Sequence, residues 1–286
     1  MTSITKAVIP AAGWGTRFFP MTKAQPKEML PVVDKPVIQY VVEEAVRSGC
    51  DDILIITGRN KRAIEDHFDA SLELDLYLQG DSHANLAQEC EELKNLANIH
   101  YIRQKEQRGL GDAIFHARYH CHDEPFAVLL GDTICVPYDG EEECTKQMIN
   151  AYQRYQRPVI VVEEVPDDKI SDYGIIAAEK MNETIYEITD IIEKPSLDEA
   201  PSRLGAIGRY LLTPDLFSLL TETKPGYKGE IQLTDALRKL ERPLGMITAC
   251  TRYDIGDKPG WMRSNLELTL KHPVFGSIVS NAFQKE

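Results

Sequence analysis

The sequence predicts an α/β fold, in which a mostly parallel, Rossmann-like twisted sheet carries helices on both faces. The first half alternates short apolar runs with helix-length segments in the order β-α-β-α-β-α-β, the pattern of parallel strands joined by helical crossovers. A glycine-bearing loop directly follows the first apolar run. In the second half the strand-like runs lie closer together, so we expect some antiparallel strands there.

The first half supplies the predicted parallel strands, which are short apolar runs bounded by turn residues. They cover residues 6–10, 52–58, 99–102 and 126–130. Helices are predicted over 36–49, 62–68, 71–96 and 111–121. In the first of these helices, apolar residues recur at helical spacing and the pattern closes at Gly49.

The second half has a more mixed pattern. Strands are predicted at 159–165, 174–178, 184–192, 210–212 and 245–250, and helices at 214–220, 231–241 and 260–271. No low-complexity linker interrupts residues 1–286, so we expect one continuous domain.

The composition is that of an ordinary soluble globular protein, with 43% hydrophobic and 27% charged residues. The formal net charge of -13 argues against nucleic acid as a partner, because phosphate backbones are bound by clusters of Lys and Arg. For anionic substrates, local cations and metal ions would have to outweigh this repulsive field. We see neither a signal peptide nor 18 consecutive apolar residues, so we expect a cytoplasmic protein without a membrane span.

The six cysteines contain no CxxC pair. They are Cys50, Cys90, Cys121, Cys135, Cys144 and Cys250. Their scattered spacing predicts reduced structural residues instead of a zinc site or a disulfide framework. The seven histidines also lack metal-ligand spacing, and no Ser, Cys or His arrangement suggests a covalent intermediate.

The loop after the first strand reads Ala11-Ala12-Gly13-Trp14-Gly15-Thr16-Arg17. Ligands of parallel sheets bind at the carboxyl ends of the strands, where glycines let backbone amides approach a phosphate closely. The loop departs from the dinucleotide fingerprint GxGxxG, because Phe18 stands at the third glycine, and the phosphate loop GxxxxGK(S/T) is absent. Its glycine spacing alone fits a phosphate cradle and a structural turn about equally well.

A longer ordered motif follows. It comprises Gly13-Trp14-Gly15-Thr16-Arg17-Phe18-Phe19-Pro20, Thr22-Lys23 and Pro26-Lys27-Glu28-Met29-Leu30-Pro31-Val32. This set resembles, nearly residue for residue, the GxGTRxxPxTxxxPKxMLPV motif of the sugar-phosphate nucleotidyltransferases. Two further segments resemble the UTP–glucose-1-phosphate uridylyltransferase branch of that family, the bacterial and archaeal UDP-glucose pyrophosphorylases. These are Asp34-Lys35-Pro36-Val37-Ile38-Gln39-Tyr40 and Gly229-Glu230-Ile231-Gln232-Leu233-Thr234-Asp235.

The resemblance covers residues 5–271 and implies a fold of the nucleotide-diphospho-sugar transferase type. The implied reaction is a Mg2+-dependent, direct in-line transfer that forms UDP-glucose and pyrophosphate from UTP and glucose 1-phosphate. Residues 1–135 would bind the nucleotide, residues 136–271 the sugar phosphate, and residues 272–286 would form a C-terminal tail. Because family members are commonly homodimers or homotetramers, we expect a homo-oligomer whose partners are small molecules, with neither nucleic acid nor membrane among them.

The resemblance assigns catalytic roles to three cations, Arg17, Lys27 and Lys194. Nucleotidyl transfer needs positive charge where negative charge grows on the leaving pyrophosphate. Arg offers a bidentate fork and Lys a mobile point charge. Without the motif, Arg17 and Lys27 would be interpreted as solvated surface cations.

The matched nucleotide-binding positions are Ala11, Ala12, Gly13, Gly15, Thr16, Glu28, Gln104 and Gly109. Gln104 and Gly109 belong to a stretch that resembles the base-recognition segment of the family, and an amide can both donate to and accept from a uracil edge. The alternative is a glycine turn capping the helix that starts near Asp112. Glu28 either accepts hydrogen bonds from the nucleotide or holds the loop.

Two carboxylates are expected near the metal. Asp132 follows the strand at 126–130, where a hard oxygen ligand would face the ligand crevice, although an Asp after a strand is also a common turn cap. The resemblance makes Asp132 a metal ligand, while Thr133 stands where relatives often have a second acid. Asp254 is similar to the Asp of an Asp-x-Gly element in thymidylyltransferases, and its role toward metal or sugar phosphate stays open.

The sugar-binding positions implied by the resemblance are Gly174, Glu193 and Lys194. Glu suits two adjacent sugar hydroxyls, Lys neutralises the sugar phosphate, and Gly174 lets its backbone approach the hexose. By itself, a Glu-Lys pair before Pro195 would be an ordinary strand exit.

Three other functions were weighed. A glucose-1-phosphate thymidylyltransferase shares the chemistry, but Gln104 and the segment 229–235 favour uridylyl transfer. A catalytically silent regulatory homologue that binds nucleotide sugars need not keep the charged set, which is intact here. A nicotinamide oxidoreductase is disfavoured by the missing third glycine.

Overall fold

The computed structural model describes residues 3–79, 83–226 and 229–283. The strands are β1 (Lys6–Pro10), β2 (Pro31–Val32), β3 (Lys35–Pro36), β4 (Asp52–Thr57), β5 (Asn98–Arg103), β6 (Phe126–Leu129), β7 (Thr133–Pro137), β8 (Val159–Glu164), β9 (Gly174–Lys180), β10 (Ile185–Glu193), β11 (Leu204–Leu212), β12 (Leu244–Met246) and β13 (Cys250–Asp254). The helices are α1 (Val37–Arg47), α2 (Arg62–Phe68), α3 (Leu72–Tyr77), α4 (Ala84–Lys94), α5 (Leu110–Phe115), α6 (Arg118–Cys121), α7 (Cys144–Tyr155), α8 (Asp215–Glu222), α9 (Leu233–Leu237), α10 (Lys258–Lys271) and α11 (Gly276–Phe283). Among the helices of these ranges, none combines the length and the apolar character needed to cross a bilayer.

A nine-stranded sheet organises the described residues, in the order β5-β4-β1-β6-β11-β8-β12-β10-β9. Strands β5, β4, β1 and β6 are parallel, with Lys6 opposite Asp52 and Ala7 opposite Ala127. From β6 onward, antiparallel pairing joins β6 to β11, β11 to β8, and β12 and β9 to β10. One further parallel pair joins β8 and β12. The prediction of a mixed α/β sheet, with its antiparallel strands in the second half, is confirmed.

Successive side chains of each strand point to opposite faces of the sheet, so the core has two layers. On one face of the sheet, Ile9 and Leu129 pack with apolar residues of α1, α2 and α7. On the other face, Val8 and Val128 pack with apolar residues of α5, α8 and α9. Because neighbouring residues of each strand are buried on opposite faces, the strands read as continuous apolar runs, and helices cover both faces as predicted.

Several predicted elements differ from the structure. The single helix predicted over 111–121 is two helices, α5 and α6. The strand predicted at 210–212 is the end of the longer β11, and the helix predicted over 231–241 is the shorter α9.

The single helix predicted over 71–96 is wrong in its described part, which holds α3 and α4, while residues 80–82 lie outside the described residues. Neither helix has a fully buried residue, although Leu93 packs partly against the core, so little core packing holds the segment in one piece. The strand predicted at 245–250 is replaced by β12 and β13, which lie in different sheets. The predicted tail contains α11, and residues 284–286 lie outside the described residues.

A small antiparallel pair of strands, β7 and β13, was not predicted and shapes the site. Its register places Thr133 opposite Asp254. Beyond the pair, the backbone N of Ile255 donates to the carbonyl of Asp132 over 2.9 Å. The two predicted metal carboxylates, 122 positions apart in sequence, therefore lie on adjoining backbone segments at the carboxyl end of β6.

Candidate active site

The glycine loop lies at the carboxyl ends of β1 and its neighbours, as predicted. Its first residues, Ala11 and Ala12, are buried, and the N–H of Ala11 continues the sheet by donating to Ile56 over 2.9 Å. Gln107, which follows β5, donates its amide to the carbonyl of Ala12 over 2.6 Å. A Cβ added to Gly13 would meet no atom within 4 Å. Packing within the chain therefore does not require glycine at position 13, and its exposed backbone faces open space.

The second loop glycine has a structural reason. Gly15 has a φ of 66°, and a Cβ there would lie 3.2 Å from Thr22 and 3.3 Å from Lys27. The hydroxyl of Thr22 donates to the Gly15 carbonyl over 2.8 Å. Gly15 thus folds the loop against the turn that carries Lys27. The adjacent Thr16 and Arg17 are exposed, and the Arg17 guanidinium lies beside Gly256, two residues after Asp254.

A pocket of about 180 Å³ opens beside this loop. It is lined by Gly13, Trp14, Thr16, Phe19, Thr22, Lys23, Ala24, Gln25, Pro26, Arg59, Asn60, Lys61 and Gln107. Three of these described residues are cationic and none is acidic. The local charge is therefore opposite to the net charge of -13, which suits an anionic ligand.

Lys27 and Asp132 form an ion pair between the loop and the end of β6. Burial would lower the pKa of Lys27, but the carboxylates of Asp132 and Glu28 outweigh burial and raise it. Lys27 therefore stays protonated at neutral pH. Glu28 is only 1% exposed and accepts from the Lys61 ammonium over 2.7 Å, contacts that favour its loop-holding role.

Asp254 is held in a polar network that sequence analysis did not find. Its Oδ2 accepts from the Tyr173 hydroxyl over 2.6 Å and from Arg252 over 3.0 Å, and its Oδ1 accepts from the N–H of Gly256 over 2.8 Å. Burial would raise the pKa of Asp254, but these donors lower it, so the carboxylate is ionised. Arg252 also pairs with Glu163. In the sequence, the one indication of this network was the position of Arg252 two residues before Asp254, which puts both side chains on the same face of a strand.

The predicted sugar-binding residues meet at the end of β10. Glu193 lies opposite Gly174 in the β9–β10 ladder and accepts from the Thr234 hydroxyl over 3.0 Å. A Cβ on Gly174 would lie 2.7 Å from the methyl group of Thr234, so the glycine makes room for this contact. Lys194 pairs with Glu193 over 2.9 Å, and its backbone N donates to Tyr173 over 3.0 Å. Tyr173 thus links the sugar-binding group to Asp254.

The Gln104 side chain is 5% exposed and has a defined orientation. Its amide nitrogen donates to the Gly109 carbonyl over 3.2 Å and to the Asp112 carboxylate over 2.7 Å. Because both partners are acceptors, they fix the amide with its NH2 group toward them. The acceptor oxygen of Gln104 is left for other contacts.

Gly109 is needed by the fold. It has a φ of 101°, and a Cβ there would lie 2.7 Å from the Ile231 carbonyl and 2.8 Å from Glu230. We expect Gly109→Ala to lower the free energy of unfolding by about 2 kcal/mol or more, from backbone strain and overlap together. Gly13→Ala, the matched control, should be within about 0.5 kcal/mol of the wild type. Urea denaturation measures both values, and equal stability of the two variants would contradict this account.

The structure brings the predicted residues together in three connected groups along one edge of the sheet. The loop group consists of Ala11, Ala12, Gly13, Gly15, Thr16, Arg17, Lys27 and Glu28, with Asp132 and Asp254 beside it. The second group is Gln104 with Gly109, joined to the loop through Gln107, and the third is Gly174 with Glu193 and Lys194. Of the predicted site residues, Gly13 and Thr16 line the cationic pocket. The others lie outside its lining, including the three cations Arg17, Lys27 and Lys194.

Comparisons with known proteins agree with this arrangement. The model of the family described as Nucleotidyl transferase matches residues 6–267. The UTP--glucose-1-phosphate uridylyltransferase YngB of Bacillus subtilis (strain 168) is 51% identical over 273 residues, which cover 94% of this chain and 91% of that protein. A crystal structure of UDP-glucose pyrophosphorylase complexed with UDP-glucose is 44% identical, with a TM-score of 0.86, over 94% of this chain and 100% of the other. The UTP-bound UGPase from Acinetobacter baumannii is 35% identical, with a TM-score of 0.89, over 98% of this chain and 99% of the other.

These matches span both halves of the chain and share its mixed α/β fold. The predicted family, fold type and enzyme class are confirmed. Enzymes of this family typically use a divalent metal ion. The chain therefore belongs to the nucleotidyl transferase family.

Proposed function

We propose that this protein is a UTP–glucose-1-phosphate uridylyltransferase, which forms UDP-glucose and pyrophosphate. The observation that carries the proposal is the Lys27–Asp132 pair, which lies between the glycine loop and the network from Asp254 through Tyr173 to Lys194. One edge of the sheet thus offers two anion-binding regions that adjoin at a pair of carboxylates. Residues 1–135 would bind the nucleotide and residues 136–271 the sugar phosphate, and relatives that carry this activity by name match both parts.

The chemistry is a direct displacement. A phosphate oxygen of glucose 1-phosphate forms a bond to the α-phosphorus of UTP, the bond to the β-phosphate bridging oxygen breaks, and its electron pair leaves with pyrophosphate. The attacking phosphate is already ionised at neutral pH, so alignment and charge neutralisation do most of the work. Arg17 and the protonated Lys27 balance the triphosphate charge. Lys194 holds the sugar phosphate, and Glu193 accepts from the sugar hydroxyls.

Asp132 and Asp254 are suited to hold Mg2+. Carboxylate oxygens are the hard ligands that Mg2+ prefers, and an ionised carboxylate has about four acceptor sites, of which Lys27 uses one at Asp132. Asp254 already accepts hydrogen bonds at both oxygens, which makes Asp132 the better first ligand. When bound, the ion would neutralise charge on the phosphates.

Gln104 would select a uracil base. Its NH2 group is held by Gly109 and Asp112, and its oxygen would accept from the N3–H of uracil. Cytosine presents an acceptor at N3, so two acceptors would face each other. Thymine carries the same N3–H, so this contact does not support the expectation that Gln104 favours uridylyl over thymidylyl transfer. A choice between UTP and dTTP must rest on other contacts.

We expect Gln104→Leu to lower kcat/KM for UTP by about ten- to a hundredfold, because it removes the acceptor and leaves Asp112 without its donor. The ratio of UTP to CTP turnover should fall as well. Gln88→Leu, at an exposed position on α4, is the matched control. Initial rates with both nucleotides test this, and an unchanged UTP/CTP ratio would remove Gln104 from base recognition.

The test of the function itself is pyrophosphate release from glucose 1-phosphate with UTP, dTTP, ATP, CTP and GTP in turn, with and without Mg2+. Strong, metal-dependent turnover confined mainly to UTP supports the proposal. A preference for dTTP would keep the mechanism and replace the base assignment. No turnover by folded protein would favour a silent nucleotide-sugar-binding homologue.

The exposed face of α10 supports the expected homodimer or homotetramer. Met262, Leu266 and Leu270 recur at i, i+4 spacing and are 43–50% exposed, and Ile278 of α11 is 62% exposed. We expect light scattering to give a mass of two or four chains, and Leu266→Glu to lower it. A monomeric wild type would contradict the expectation.

All six cysteines are free, which suits the reducing cytoplasm.

A further inference from the structure

Three of the six cysteines meet behind the candidate active site. Cys135 lies in β7, Cys144 is the first residue of α7, and Cys250 begins β13. Their Sγ atoms all lie within 4.8 Å of one another. These three cysteines, scattered in sequence, therefore lie together in the structure. Sequence spacing gave no sign of the cluster, because it depends on the unpredicted pairing of β7 with β13.

A hydroxyl completes the cluster. The Oγ1 of Thr248 lies 3.0 Å from the sulfur of Cys250 and 3.5 Å from that of Cys144. A tetrahedral zinc ion has Zn–S bonds of about 2.3 Å, which requires sulfur atoms about 3.8 Å apart. The cluster therefore needs only a small contraction to surround an ion with three sulfurs and one oxygen.

The electrostatic surroundings favour one thiolate, at Cys250. Hydrogen bonds from Cys135 and Cys144, in that order, lower the pKa of its thiol despite its partial burial. The pKa values of Cys135 and Cys144 are raised by hydrogen bonding within the cluster and by burial, so a metal ion would have to displace their protons. The thiolate is the form that binds metals. The positive end of α7 lies at Cys144, and the charged guanidinium of Arg209 acts on Cys135. These groups would offset part of the negative charge of metal-bound sulfurs, with Arg209 shared with the Glu44 carboxylate.

We infer that Cys135, Cys144 and Cys250 form a binding site for a thiophilic cation of the Zn2+ type, with the Thr248 hydroxyl or a water as fourth ligand. Binding displaces the thiol protons to solvent and forms three metal–sulfur bonds without any change of oxidation state. Sulfur ligands discriminate against Mg2+, so this site is chemically separate from the one at Asp132.

The position of the cluster indicates a structural role. The ion would tie the start of α7 to the middle of β7, at Cys135, and to the end of β13 remote from Asp254, at Cys250. Cys135 and Cys144 are buried, so the site is closed to substrates. A bound ion would stabilise the pair of strands that brings the two carboxylates together, and it would take no part in the transfer itself.

The test uses the full chain, purified reduced and metal-free, and titrated with Co2+ as a spectroscopic substitute for Zn2+. We expect a thiolate-to-cobalt charge-transfer band that saturates at one equivalent and is removed by Zn2+ but not by Mg2+. Asp52, His100 and His120 also lie within ligand distance of one another, but nitrogen and oxygen ligands do not give this band. Cys250→Ser, at the least buried of the three sulfurs, should weaken Co2+ binding at least tenfold.

Cys90→Ser, in α4 and outside the cluster, is the matched control and should keep the band. Circular dichroism establishes that each variant is folded, and Cys135→Ala provides a second cluster variant. A wild type without the band, or a band of equal affinity in folded Cys250→Ser, overturns the inference. A loss of two reactive thiols in air without metal would instead assign a disulfide to the cluster and also overturn it.

Discussion

Asp132→Asn is expected to lower kcat/KM for uridylyl transfer by about a thousandfold, the largest catalytic effect of any single change proposed for this chain. Asn keeps the size of the side chain but removes the charge that would hold Mg2+ and that now pairs with Lys27. The cleft would lose a metal ligand and gain an uncompensated ammonium group. Pyrophosphate release measured over a range of Mg2+ concentrations should show both a lower kcat and a higher half-saturating Mg2+ concentration.

Asp139→Asn is the matched control, since Asp139 is exposed beyond the far end of β7, and it should retain wild-type kinetics. A Lys27→Met, Asp132→Asn double variant tests whether the pair acts as a unit. If it does, the double variant should be little worse than the more damaging single variant, because groups that act together are not additive. Full Mg2+-dependent activity in Asp132→Asn would end the metal assignment.

The family resemblance assigns most residues of the candidate site, and the strands that local pattern reveals explain why several of them meet. The apolar runs before Ala11 and Asp132 are unambiguous, and parallel strands place their carboxyl ends at one edge. Ordered motif residues after such strands must meet there. Strand pattern alone could not show why glycine is required at some loop positions and not at others. Gly15 and Gly109 adopt positive φ against near neighbours, whereas Gly13 faces open space, and only the three-dimensional contacts distinguish them.

What the sequence could not show are contacts between elements distant along the chain. The strand β7 is short, and its partner β13 lies more than 100 residues away. No hydrophobic pattern in the sequence therefore predicts the strand pairing that brings Asp132 close to Asp254. The three clustered cysteines depend on the same pairing. The buried Arg209 was equally invisible, since it lies within the apolar strand β11 and its partner Glu44 lies on α1.

Arg209→Met is expected to lower the free energy of unfolding by about 3–5 kcal/mol, the largest stability effect expected here. The Arg209 side chain is 0% exposed, and its guanidinium contacts both carboxylate oxygens of Glu44. Burial alone would lower the pKa of Arg209, but Glu44 outweighs burial and raises it, so the group is charged. Burial already raises the pKa of Glu44, and methionine would remove the cation that opposes this effect. The Glu44 carboxyl group would then be unpaired and held only by Thr145 among the described side chains. Urea denaturation monitored by circular dichroism gives the loss directly.

Two comparisons separate the stability lost when one partner of this pair is removed from the net contribution of the pair to the free energy of unfolding. Arg238→Met removes an ion pair with Asp190 at the surface, and it should cost less than about 1 kcal/mol. Adding Glu44→Gln to Arg209→Met removes the stranded charge, so the double variant should recover part of the lost stability. If Arg209→Met costs no more than Arg238→Met, the buried pair is not a strong determinant of stability.

The same arginine connects stability to the site. It donates to the Thr133 carbonyl over 2.7 Å and to the Leu130 carbonyl over 3.4 Å, on either side of Asp132. A variant that stays folded at low temperature should therefore still lose activity, because the turn that aims Asp132 has lost its donors. Addition of Glu44→Gln restores charge balance but not these hydrogen bonds, so stability should recover further than kcat. Equal recovery of both would show that Arg209 serves the fold alone.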